Sequence, residues 1–159
     1  MSFLGSAGQL YYVETSGGPS IYELGLKGAP HALAADSSKR GVRVQGKATP
    51  LYFRVPAEAA SFTITTSSEA PGETSLSHLY SPSGRLVETL DTQTTRVARA
   101  TVKRDSADTW EGFWCLSVEK APKGVFDDVE IALDASLPQW FTLDPNEPLV
   151  ISPIKTVGK

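Results

Sequence analysis

Cysteine is almost absent from this chain. Cys115 stands alone, which excludes an internal disulfide and any metal site built from several cysteines. Its neighbours, Trp114-Cys115-Leu116, read as a buried strand, where a free thiol packs rather than reacts. Histidine is scarce too, with only His31 and His78 to supply an imidazole base or a metal ligand. No Gly-x-Ser-x-Gly elbow, His-Glu-x-x-His pair, Walker loop or dinucleotide fingerprint occurs anywhere in the sequence. The expectation is therefore a protein that is not an enzyme. No apolar run approaches the roughly 20 residues of a membrane-spanning helix, and Met1-Ser2-Phe3-Leu4-Gly5 lacks the charged and apolar regions of a leader. No membrane partner is expected, and the same start would suit a fragment of a larger protein. Basic excess is missing as well: 15 Lys and Arg stand against 18 Asp and Glu, a formal charge of −3, so nucleic acid is not an expected partner.

What is present is an ordinary globular composition, 40% hydrophobic and 21% charged, in 159 residues. That length matches one domain, able to bury about two-thirds of its unfolded surface without staples. Residues 1–159 are read as a single unit, with 137–159 as a proline-rich tail packed on its surface.

Period-two alternation rich in Val, Thr and aromatics recurs between clusters of Gly, Pro, Ser and Asp. In Ser61-Phe62-Thr63-Ile64-Thr65, Phe62 and Ile64 face one way and the polar residues the other. Further strands are expected at Leu10–Glu14, Ile21–Leu26, Val42–Gln45, Leu51–Val55, Ser75–Tyr80, Leu86–Leu90, Arg96–Lys103, Phe113–Val118 and Val129–Leu133. Turn chemistry separates them at Gly17-Gly18-Pro19, Ala70-Pro71-Gly72, Ser81-Pro82-Ser83-Gly84 and Ala121-Pro122-Lys123-Gly124. Only His31 to Asp36 looks helical, for one or two turns at most. This pattern predicts an all-β fold: a two-sheet antiparallel β-sandwich of jelly-roll or Greek-key type. Its expected core holds Phe53, Val55, Phe62, Ile64, Leu76, Leu86, Trp114, Leu116, Val118, Ile131 and Leu133.

Three features in order then carry a likeness. They are Leu51-Tyr52-Phe53-Arg54-Val55-Pro56 with Phe62-Thr63-Ile64, the hairpin Tyr80-Ser81-Pro82-Ser83-Gly84-Arg85-Leu86-Val87, and Gly112-Phe113-Trp114-Cys115-Leu116-Ser117-Val118 followed by Leu137-Pro138-Gln139-Trp140-Phe141. From Leu51 to Ile151 the chain resembles an accessory β-sandwich module appended to secreted bacterial polysaccharide-degrading proteins, similar in type to pre-peptidase C-terminal sandwiches. The resemblance implies an extracellular location, a polysaccharide ligand bound weakly and an adjacent catalytic domain as partner. Ser81 and Ser83 replace the Asp often found in that hairpin, which removes the carboxylates a metal role there would use.

Sugar recognition needs a flat apolar face with polar groups around it. Trp114 shares its strand face with Leu116 and Val118 and is assigned to the core, while Trp140 sits beside Phe141 and Leu143 and would pin the tail. Trp110 precedes Glu111-Gly112 in a polar loop where no alternation demands burial. It is the candidate stacking residue, with Asp108, Glu111 and Arg104 as hydroxyl partners and Tyr11, Tyr12 and Tyr22 as weaker aromatic candidates. The competing reading makes Trp110 a plug at the sandwich edge. No cofactor is expected, although Asp105 with Asp108, or Asp127 with Asp128, could contribute to a structural Ca²⁺ site. Two other functions stay open: a purely structural or protein-interaction module, and a small glycan-active enzyme using paired carboxylates.

Overall fold

The computed structural model describes residues 6, 9–13, 28–35, 41–46, 50–105 and 110–146. Among them there is no helix, and none long and apolar enough to cross a membrane. The strands are β1 (Leu33–Ala34), β2 (Val42–Val44), β3 (Leu51–Arg54), β4 (Ser61–Ser68), β5 (Ser75–Tyr80), β6 (Leu86–Asp91), β7 (Val97–Lys103), β8 (Phe113–Lys120), β9 (Val129–Leu133) and β10 (Trp140–Phe141). They form an all-β sandwich of two four-stranded antiparallel sheets, ordered β2-β9-β4-β7 and β3-β8-β5-β6, with β1 and β10 paired beside them.

The order has a simple origin. The hairpin β5–β6 is innermost, and β4 pairs β7, β3 pairs β8 and β2 pairs β9 in successively wider turns. A nested antiparallel ribbon of this kind, rolled until β4 also meets β9 and β5 meets β8, is the jelly roll. Pro82-Ser83-Gly84 closes the innermost turn: Gly84 adopts φ 83° and donates its amide to Ser81 O at 2.9 Å. At the widest turn Gly41 has φ 64°, and a Cβ there would lie 2.2 Å from Ile131 O, so only glycine lets β2 approach β9.

Alternation places the core. On β4, Phe62, Ile64, Thr66 and Ser68 point inward, and on β8 Trp114, Leu116 and Val118 do. At one end of the sandwich, Phe62 contacts Phe53, Trp110 and Trp114 with centroids 5.7, 5.5 and 4.9 Å away, and Phe53 in turn meets Phe141 at 5.8 Å. Edge-on geometry dominates here, the arrangement aromatic quadrupoles prefer. Elsewhere the interior is hydroxylated: Thr92 Oγ1 accepts from the Ser75 amide at 2.8 Å and pairs with Ser68 Oγ at 2.9 Å.

Several expectations change in three dimensions. The stretch expected to be helical from His31 to Asp36 is extended through Ala35, because Leu33 and Ala34 pair with Phe141 and Trp140 and the Ala35 amide donates to Gln139 O. A one-turn helix has too few internal hydrogen bonds to compete with that pairing. Leu76 and Leu86 are not core residues. On β5 the inward side chains are Ser75, Ser77 and Leu79, which turns Leu76 outward, and a register shift at Leu79/Tyr80 leaves Leu86 49% exposed. Leu10 to Val13 is exposed and forms no strand, whereas Glu14 and Ile21–Leu26 lie outside the described residues. The 137–146 part of the tail feeds the core through buried Leu137 and Phe141, and residues 147–159 lie outside the described ones.

Two buried hydroxyls, Thr66 Oγ1 and Ser77 Oγ, have no hydrogen-bond partner among the described residues. Such a group forfeits its hydration without return. Thr66→Val, which swaps that hydroxyl for a methyl and suits a strand, should raise stability by about 1 kcal/mol in urea unfolding. A loss of similar size would show instead that the hydroxyl is bonded in solution.

Candidate functional site

β7 borders two clefts of the sandwich, and its alternation sorts the side chains that face them. Ala100 and Val102 point into the core, which sends Arg99, Thr101 and Lys103 outward. Across the sandwich edge from β7 lies β6 with the end of its hairpin. Between them is a shallow cleft of about 240 Å³, with Arg85, Glu88, Thr101, Lys103 and Asp105 around it and Trp110 and Trp114 at its base. At the opposite end of β7 a second cleft of about 380 Å³ is bounded by Arg43, Ser67, Glu69, Arg96 and Glu130. There Arg43 is committed to Glu69 at 2.6 Å.

Trp110 sits differently from the exposed loop ring that its polar neighbours suggest. It is 5% exposed, its ring packs on Phe62 and edge-on to Trp114 at 5.6 Å, and its Nε1 donates to Pro56 O at 3.2 Å. Trp114 Nε1 in turn donates to Trp110 O at 3.1 Å. The plug role is therefore real, and what reaches the cleft is part of the ring at its base rather than an open stacking platform. Buried packing overrides local polarity here because the indole lies against Phe62 of one sheet and Trp114 of the other.

The other expected site residues do not gather around that ring. Arg104 turns away: its Nη1 donates to Ala57 O at 2.6 Å and its amide to Ala60 O at 2.9 Å, so it ties two loops together. Glu111 is exposed and does not line the cleft, and Asp108 lies outside the described residues. Tyr11 is 47% and Tyr12 68% exposed, with the Tyr11 hydroxyl accepting from the Ser6 amide, while Tyr22 lies outside the described residues. The residues that sequence reasoning missed are Arg85, Glu88, Thr101 and Lys103. The alternation of β7 placed Thr101 and Lys103 outside, but nothing in sequence brings β6 opposite β7.

Other chemistry-bearing groups are held in local contacts. His78 lies on the outer sheet face with Nδ1 3.2 Å from Thr89 Oγ1 and Nε2 3.3 Å from Glu119 Oε1. His31 is exposed and meets only the Ala29 carbonyl. Cys115 is half-buried beside the Tyr52 hydroxyl; burial pushes its thiol pKa up, against the hydrogen bond from Tyr52, which lowers it. A raised pKa means less thiolate at neutral pH. Among the described residues no three of His, Cys, Asp and Glu converge on a point, and Asp128 instead accepts from Gln45 Nε2 at 2.5 Å.

No family model, curated protein or solved structure matches the chain.

The packing of Trp110 has a direct consequence. Trp110→Ala should cost about 3–5 kcal/mol in urea unfolding, as large-to-small changes in cores do, whereas Glu111→Ala should stay within about 0.5 kcal/mol. Equal, small effects of the two would mean that the indole is not packed as described.

Proposed function

We propose that this chain is a non-catalytic accessory module that binds polysaccharide weakly at the β6–β7 cleft. The observation that carries the reading is the composition of that cleft: indole carbon at the base, with Arg85, Glu88, Thr101, Lys103 and Asp105 within reach of its opening. An apolar base with a ring of donors and acceptors suits a pyranose, which offers C–H groups on one side and hydroxyls around its rim. The order of hairpin and Trp-bearing strand, similar to that of accessory modules on secreted polysaccharide-degrading proteins, supports the same class and an extracellular setting. The jelly roll by itself hosts many functions and carries no weight in the choice.

A shallow open site recovers little free energy. Affinities in the millimolar to micromolar range, about 4–8 kcal/mol, are the natural expectation. Catalysis is not part of this reading, and neither is a cofactor or nucleic acid.

One observation favours a second reading, that the module docks on a neighbouring protein domain. Leu10, Tyr11, Tyr12 and Val13 are consecutive and 62%, 47%, 68% and 42% exposed, an apolar surface that water does not favour. None of these four residues lines the cleft, so substitutions in the cleft bear on the first reading alone.

Affinity electrophoresis through gels containing neutral and charged polysaccharides tests the first. The wild type should be retarded by at least one polymer, and Glu88→Ala with Thr101→Ala should reduce that retardation while circular dichroism stays unchanged. Both side chains are exposed, so their loss should leave the fold intact. Retardation that survives this pair would place sugar binding elsewhere, and no retardation by any polymer would leave the docking reading.

A further inference from the structure

The chain is acidic overall, yet exposed cations gather on and beside one strand. Arg99 and Lys103 share the outward face of β7, and Arg96 lies just before its first residue, Val97; all three are exposed. Among the described residues, the ion pairs seen join Arg43 and His78 to carboxylates, and none joins Arg96, Arg99 or Lys103 to a described carboxylate. Unpaired cations in a row repel one another, a cost that a partner of opposite charge removes. At about 3.3 Å per residue the row from Arg96 to Lys103 extends roughly 23 Å.

The row is not an isolated charge patch. Its Lys103 end borders the β6–β7 cleft and its Arg96 end borders the second cleft. Beside it, β4 turns Ser61, Thr63, Thr65 and Ser67 to the same face, paired in register with Lys103, Thr101, Arg99 and Val97. The sheet therefore offers a line of cations next to a line of hydroxyls. Carboxylates stand at its ends, Glu69 and Glu130 by Arg96 and Asp105 with Glu88 by Lys103, and Asp134 accepts from the Thr63 amide on the neighbouring strand. The balance of the whole sequence hides this stripe, because alternation sorts Arg99 and Lys103 to one side of β7 and Arg96 stands at the start of the same strand.

We propose that β7 is the contact strand for a linear anionic polysaccharide, its carboxylate or sulfate groups meeting Arg96, Arg99 and Lys103 and its hydroxyls meeting the Ser and Thr row of β4. This rests on the polysaccharide reading of the cleft and specifies the substrate class for it. Such a chain carries fixed anions and hydroxyls together along an extended backbone, which is what the two rows complement. Nucleic acid would engage the cations but make no use of the hydroxyl row beyond its phosphates.

The test measures dissociation constants by affinity electrophoresis against polygalacturonate, chondroitin sulfate, neutral hydroxyethylcellulose and single-stranded DNA. Wild type is compared with Arg96→Glu/Arg99→Glu, with the uncharged Arg96→Gln/Arg99→Gln, and with Lys120→Glu/Lys123→Glu. The last pair changes net charge equally but lies on exposed positions at the end of β8 and in the turn after it. Neither arginine lines the β6–β7 cleft, so the glutamine pair should stay folded and keep the cleft intact. The expected result is preferential binding of polygalacturonate or chondroitin sulfate, which says whether carboxylate or sulfate is favoured. Substituting the two arginines should weaken it roughly threefold to thirtyfold, as two exposed charge contacts imply. Raised salt should weaken it as well. An equal loss in Lys120→Glu/Lys123→Glu would overturn the proposal by making net charge the cause, and DNA bound as tightly as the anionic polysaccharides would overturn its selectivity. Retardation by hydroxyethylcellulose alone would reject the anionic class while leaving the cleft reading standing, and retardation by none would remove both.

Discussion

Everything in this molecule depends on how one end of the sandwich is closed. Phe53, Phe62, Trp114 and Phe141 come from strands of both sheets and from the tail. Trp110 joins them from outside the strands, packed on Phe62 of one sheet and hydrogen-bonded to Pro56 and Trp114 beside the other. Arg104 adds a second tie from the same loop to the 57–60 turn. The loop is thus structural at its root, and that fixes the base of the cleft beside it. Burial of a ring this large outweighs several surface contacts, which is why a polar loop can hold a core residue.

The cleft and the charged row are products of the same alternation. Because β7 must send Ala100 and Val102 inward, Arg99, Thr101 and Lys103 have only the outer face available. β4 repeats the logic with Phe62 and Ile64 inside and Thr63 and Thr65 outside, in register with β7. A hydrophobic requirement inside the sandwich therefore sets the spacing of polar groups outside it. Any ligand that reads this face reads a pattern written by the core.

Most of the fold was legible because strand formation at half-buried positions leaves a period-two signature. Ser75–Tyr80 and Val129–Leu133 match the observed strands end to end, and β4, β6, β7 and β8 differ only at their ends. Failure came where local pattern and tertiary packing disagree. Serines occupy the inner face of β5, with Ser75 Oγ beside Thr92 Oγ1 and Ser77 Oγ without a partner among the described residues, so a hydrophobic count points to the wrong face and Leu76 is misplaced. A bulge, invisible in one sequence, exposes Leu86. The site was less legible still. It joins Arg85 of the β5–β6 turn and Glu88 of β6 with Lys103 of β7, and no spacing rule relates strands that meet only across the sandwich edge. Trp110 was recognised as a residue of interest, but its surroundings gave no sign of the neighbours that bury it.

Trp110 belongs to the fold first, a buried residue whose indole N–H is bonded to Pro56 O. Amide and indole hydrogen exchange, followed by NMR in the native protein, tests it most directly. The Trp110 indole proton should exchange only through opening as costly as global unfolding, alongside the Trp114 indole and the core amides of β4 and β8. Exchange of the Trp110 indole proton at the rate of an exposed tryptophan, while those core amides stay protected, would contradict the account and return Trp110 to the surface.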